Sequence, residues 1–230
     1  MGHNGVAGIT CLVAVSIWAT PLLADIVTCK DPLLRVDAND QGEANRVCDA
    51  AIRAKGFVST CGIGQNIPVT LELRDEIPGV SDHCAGVYQQ GSHKILLVRP
   101  SAMPRLMPQD SAFTTLDDDA YYDSLVVHEL AHAFSDQSSE NNLACSADKE
   151  YIAYALQIES LPDAERRKFL PFQEVDHPVP EARLNDFVLG FAPDVFGLMA
   201  WAHFSEAGHG CQFIADLLDG RASLALPDLE

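Results

Sequence analysis

The chain has 230 residues, enough for one domain with a real hydrophobic core and too few for two comfortable ones. Hydrophobic residues at 47% and charged residues at 21% mark a globular composition and exclude a disordered one. With 33 acidic against 15 basic side chains the net charge is -18, a field that repels nucleic acid and anionic membranes and excludes both as partners.

Residues 1–24 contain no Asp, Glu, Lys or Arg, and "VAGITCLVAVSIWA" is an apolar run of signal-peptide length. "ATPLLA" then predicts cleavage after Ala24, with an uncleaved N-terminal anchor as the alternative. No second long apolar stretch follows, so no stable membrane association is expected after cleavage, and the product is periplasmic or extracellular. Six cysteines remain beyond the signal: Cys29, Cys48, Cys61, Cys84, Cys145 and Cys211. An even number without a CxxC pair suits three disulfides in an oxidising compartment. Connectivity does not follow from sequence; Cys48 with Cys61 and Cys145 with Cys211 is the pairing expected.

"DQGEANRVCDAAIRAKGF" places apolar residues at 44, 47, 48, 51 and 52, a helical pattern, with Gly56 where a C-cap would stand. "PVTLELRDEIP" alternates as a half-buried strand. "AGVYQQGSHKILLV" reads as a hairpin turning at Gly91-Ser92, a type II′ candidate. The proline-rich stretch from Pro100 to Pro108 predicts a loop. Asp117, Asp118 and Asp119 precede a helix expected from about Ala120 to Asp136, where negative charge favours the N-terminus. After a polar connection, "ADKEYIAYALQIES" predicts a second helix stopped at Pro162, and the last third predicts two more. Strands first and helices afterwards is an α+β order.

Chemistry concentrates in "SLVVHELAHAFSD", residues 124–136. Residues four apart share a helix face, so His128 and His132 present two imidazoles in one direction, a spacing that zinc can bridge. Glu129 follows the first histidine and is placed to act as general base toward a metal-activated water. The apolar neighbours Val126, Val127, Leu130, Ala131 and Phe134 keep the surroundings dry, which strengthens electrostatics at the site.

A hydrolytic zinc site keeps three protein ligands and one open position. The metzincin continuation is excluded, because Ser135 and Ser138 stand where that pattern needs Gly and His. Candidates for the third ligand are Asp136, Glu140, Asp148, Glu150, Glu159, His203 and His209. Asp136 lies one turn beyond His132 and suits a supporting contact behind an imidazole. Glu150 opens the next helix after a connection long enough to turn the chain back. Asp148 would project about 200° around the helix from Glu150, and Glu159 would lie about 13 Å further along it. Glu150 is therefore the expected ligand.

"HELAHAFSD" followed by a helix opening at a glutamate resembles the gluzincins, the thermolysin-like branch of zinc peptidases. The resemblance covers residues 124–159. It implies His128, His132 and Glu150 as zinc ligands, Glu129 as general base, and Asp136 as the aspartate that follows the second histidine. Two departures stand out: the interval from His132 to Glu150 is slightly short, and Tyr154 replaces the acidic residue expected one turn after Glu150. Tyr154 and His203 are the two candidates for an oxyanion donor, with packing the ordinary role of each. The strands and "EYIAYALQ" are also similar to small, uncharacterised, exported bacterial proteins with zincin-like motifs.

The expected architecture is a single α+β zincin-like domain over residues 25–230. A small twisted sheet from residues 69 to 98 would pack on the active-site helix, with a mainly helical C-terminal half. The expected activity is zinc-dependent hydrolysis of a peptide or protein substrate. The alternatives are a binding protein that keeps a structural zinc and a zinc hydrolase acting on something other than peptides.

Overall fold

A computed structural model describes residues 25–79, 84–105, 111–139 and 143–226; the expected signal segment, His83 and Glu140 lie outside them. The chain opens with β1 (Asp25–Thr28) and β2 (Leu34–Ala38), an antiparallel pair. On β2, buried Leu34, Val36 and Ala38 alternate with Arg35 and Asp37, the period-2 signature of a strand with one face in the core. Neither strand was expected, because each is too short to show alternation above the noise of its neighbours.

Helix α1 (Gln41–Val58) begins at Asp40, whose carboxylate accepts the Glu43 N–H. It runs past Gly56, where a stop was expected, and tightens into a 3-10 turn at Ser59–Cys61. Strands β3 (Val69–Arg74), β4 (Gly86–Gln89) and β5 (Lys94–Val98) complete a five-stranded sheet in the order β1-β2-β3-β5-β4. β2, β3 and β5 are parallel, while β1 and β4 run antiparallel at the edges. The sheet is thus larger than residues 69–98 and mixed, with α1 as the crossover that parallel pairing requires. The β4–β5 hairpin also departs from expectation. Gln89 pairs with Lys94, leaving a four-residue connection instead of a two-residue turn, with positive φ at Gly91 and His93. The stretch after Pro100 opens as a 3-10 turn, Pro100–Arg105.

Helix α2 (Asp118–Ser138) is held at its start by Asp117, which accepts the Asp119 N–H. It packs against α1, against the β4 and β5 side of the sheet, and against α3 (Ser146–Ser160). Surrounded in this way, α2 buries residues on almost every side, from Leu125 through Phe134. The helical half continues with α4 (Asp163–Phe169), α5 (Asp186–Phe191), α6 (Pro193–Ser205) and α7 (Cys211–Leu218). α3 is sandwiched between α2 and α6. The expected class holds: one α+β domain with a small sheet against the central helix.

Two disulfides staple the domain, and the expected pairing is wrong. Cys29 joins Cys48, fastening the end of β1 to α1, and Cys61 joins Cys211, fastening the turn after α1 to the start of α7. Cys48 and Cys61 are separated by ten residues of helix, about 15 Å, far beyond the span of a disulfide. Cys84 and Cys145 are free thiols, so the described residues carry two bridges and not the three expected. Two disulfides point to folding in an oxidising compartment. No helix among the described residues is long and apolar enough to cross a membrane.

Candidate metal centre

The middle of α2 places His128 and His132 one turn apart on the face turned toward α3. Glu150, the fifth residue of α3, which begins at Ser146 and not at the glutamate as expected, meets them from the other side. The His128 and His132 Nε2 atoms are 3.1 Å apart. Each is 3.4 Å from a Glu150 carboxylate oxygen, His128 from Oε2 and His132 from Oε1. A tetrahedral ion bonded at about 2.0–2.1 Å separates its ligands by roughly 3.3–3.4 Å, so each spacing is close to one edge of such a polyhedron, with the two Glu150 spacings made by its two different oxygens. Three ligating side chains converge on one point and could hold a metal ion.

Orientation of the first imidazole comes from Gln157. His128 Nδ1 lies 3.0 Å from Gln157 Oε1, an acceptor that keeps the proton on Nδ1 and leaves the Nε2 lone pair for a metal. Gln157 is steadied in turn by the Ser124 hydroxyl at 3.4 Å. Burial would raise the Glu150 carboxyl, but the His128 and His132 imidazoles beside it hold it far below the usual carboxylate range.

Glu129 points to the other side of His128, toward β4. It is 3% exposed, and its Oε2 has no hydrogen-bond partner. Burial pushes its carboxyl up to about 7, with His128 opposing the rise and Glu150 adding to it. The carboxylate fits only because β4 offers Gly86 at the contact; a Cβ there would sit 2.6 Å from Glu129 Oε1. A polar atom left free in a dry site beside three ligands is suited to proton transfer.

Of the other candidates for third ligand, Asp136 does not support an imidazole. Its Oδ2 accepts the Tyr88 hydroxyl at 2.6 Å and the Gly91 N–H at 3.3 Å, which ties the β4–β5 hairpin to α2. The helix turns its carboxylate toward the hairpin, and Gln157 takes the role expected of it. Asp148 is 2% exposed and accepts the Ala144 and Leu224 N–H groups, pinning the start of α3 to the C-terminal segment. Glu159 accepts from the Trp201 indole and pairs with Arg166.

His203 is no oxyanion donor here. Its Nδ1 lies 2.8 Å from the Tyr151 hydroxyl and its ring stacks on His209 at 3.8 Å, inside the core between α3 and α6. Tyr154, by contrast, shares the Glu150 face of α3. Its ring stands edge-on to His128 with centroids 4.8 Å apart, and Gly197 on α6 makes room for it. Burial, with Glu150 nearby, drives its phenol well above the ordinary range, so it stays protonated as a donor.

A cleft opens on both sides of the motif. One limb, about 360 Å³, is lined by His132, Glu150 and Asp136; the other, about 540 Å³, by Phe113, Tyr121 and Tyr154. His128, Glu129, Gly86 and Cys84 line both. Sequence reasoning missed Gly86, Gln157 and the hairpin role of Asp136. Only Gln157 had a legible signal, since positions 150, 154 and 157 follow the i, i+4, i+7 rhythm of one helix face.

No curated protein and no solved structure matches the chain. A family profile does match, over residues 34–227, and so takes in strands β2 to β5, α2 and the whole helical half. The chain belongs to the family of unknown function DUF6639.

Proposed function

We propose that this protein is an exported zinc-dependent peptidase of the gluzincin type. The observation that carries the reading is the triangle of His128, His132 and Glu150 at tetrahedral-edge spacing, with the free carboxylate oxygen of Glu129 beside it. Two imidazoles and one carboxylate in that geometry favour zinc. A structural zinc is enclosed by four protein ligands, whereas this triangle supplies three and faces a cleft, which favours catalysis over a purely structural ion.

A zinc ion held by the three side chains supplies a Lewis acid that polarises a carbonyl and acidifies water. The rest of the work belongs to the protein. Gln157 keeps the His128 lone pair aimed at the site. Glu129 takes a proton from the attacking water and passes it to the leaving amine, and its burial keeps that proton from solvent. The Tyr154 phenol lies beside His128 and is suited to donate to developing negative charge on the scissile carbonyl oxygen. β4 is an edge strand, so its outward backbone groups are available to pair with an extended peptide, independent of sequence.

The test is metal analysis together with turnover of a mixed peptide library, for the parent and Glu129→Gln. The variant should keep its zinc and its fold and lose at least ~100-fold in rate. New termini produced equally by both proteins would refute the assignment of Glu129.

A further inference from the structure

The two limbs of the cleft differ in chemistry. One is walled by aromatic rings, while the limb beyond Glu150 is polar, with Gln90, Ser135, Asp136, Ser139 and Lys149 among its lining. In the polar limb Asp136 takes the Tyr88 hydroxyl and the Gly91 N–H on one oxygen, and Gln90 Oε1 receives Lys149 at 3.3 Å, while Glu129, with its free oxygen, lies on the other side of His128. Donors are left over. Ser135 is 3% exposed and its hydroxyl has no partner, and the Ser139 hydroxyl is likewise buried and unpartnered among the described residues. Lys149 has further N–H groups to give and makes no ion pair among the described residues. It is also the one Lys or Arg among the described residues lining either limb.

A buried hydroxyl without a partner costs free energy that a ligand can recover. The surplus consists of an ammonium and hydroxyl donors beside a metal site in a chain of net charge -18. The anion that peptides carry is the carboxylate. We propose that the polar limb binds a substrate carboxylate, paired with the Lys149 ammonium and hydrogen-bonded by Ser135, so that the protein selects peptides by a negative group next to the scissile bond. The group is either an acidic side chain or a free C-terminus. This rests on the peptidase reading above.

The zinc-loaded protein is incubated with a synthetic peptide library, with the same library C-terminally amidated, and with one lacking Asp and Glu. Cleavage should depend on one of the two carboxylates, and the library that loses it identifies the source. Lys149→Met should keep its zinc and raise KM on the best peptide by about 10-fold, the scale of one charged hydrogen bond, with Lys149→Arg restoring most of it. Cleavage indifferent to both carboxylates, or an unchanged KM in Lys149→Met, overturns the proposal. If no library is cut, the peptidase reading falls, and titration with N-acetyl-glutamate amide against N-acetyl-glutamine amide, followed by amide NMR, decides the carboxylate pocket on its own. Shifts at Ser135 and Lys149 with the acid alone, lost in Lys149→Met, uphold it. Equal or absent shifts overturn it.

Discussion

Helix α3 serves two histidine pairs with neighbouring residues. Glu150 closes the triangle with His128 and His132, while Tyr151, about 100° further round the helix, hydrogen-bonds His203 in the core where His209 stacks on it. Both pairs bring imidazoles within contact distance, yet they differ in what the nitrogens face. In the first pair both Nε2 atoms converge on a carboxylate at the junction of two cleft limbs. In the second, His203 gives its Nδ1 to a phenol, His209 donates its Nδ1–H to the His203 carbonyl, and no carboxylate completes a ligand triangle among the described residues. The lesson is that proximity of histidines makes a core contact by default; convergence of lone pairs with a carboxylate is what makes a metal site.

The comparison breaks most decisively at its ligands. Glu150→Ala and His132→Ala should each lower zinc affinity by more than ~100-fold, beyond the effect of losing a supporting contact. His203→Gln should leave it within about twofold, by isothermal titration or competition with a chromophoric chelator. Asp148→Ala belongs with His203: it should keep the zinc and lose ~2–4 kcal/mol of stability in denaturant, because it strips the Ala144 and buried Leu224 N–H groups of their acceptor. A histidine variant outside the triangle that costs as much zinc as one inside it would erase the distinction.

Gln157→Leu sharpens the role of orientation. It removes the acceptor at His128 Nδ1 while preserving bulk, and zinc affinity should fall about 10- to 100-fold. Gly86→Ala tests the other side of His128. The new methyl would meet Glu129 Oε1, so turnover should fall about 10-fold or more with zinc content unchanged. Wild-type turnover in Gly86→Ala would mean that the Glu129 carboxylate is not held against β4.

The last test lies in the second pair. Burial, reinforced by His209, pushes His203 down to about 4, below the ordinary histidine value of about 6.5. The unfolded chain therefore takes up this proton first. The contribution is complete above pH ~6.5 and is lost as pH falls from there toward 4, to the extent of about 2–3 kcal/mol. Denaturant unfolding at pH 7.5, 5.5 and 4.5 should show that slope, flattened in His203→Gln. An unchanged slope would place the acid sensitivity elsewhere.

Local information carried a good deal of this protein. The i, i+4 histidines, the helical pattern around Glu150 and the alternation of Val69–Arg74 are periodic signals carried within a few residues, and secondary structure turns such signals directly into shared faces. What tertiary structure alone decided are contacts between residues distant in the chain. Gly86 admits Glu129 across a separation of 43 in residue number rather than by any local rule, since only packing of β4 on α2 brings them together. Cys29 finds Cys48, and not Cys61, because α1 lies on the sheet and carries Cys48 to the end of β1. Asp136 faces the hairpin and Gln157 faces His128 because the angle at which α2 meets β4 and α3 selects each partner, and no spacing in one helix encodes the direction of its neighbours.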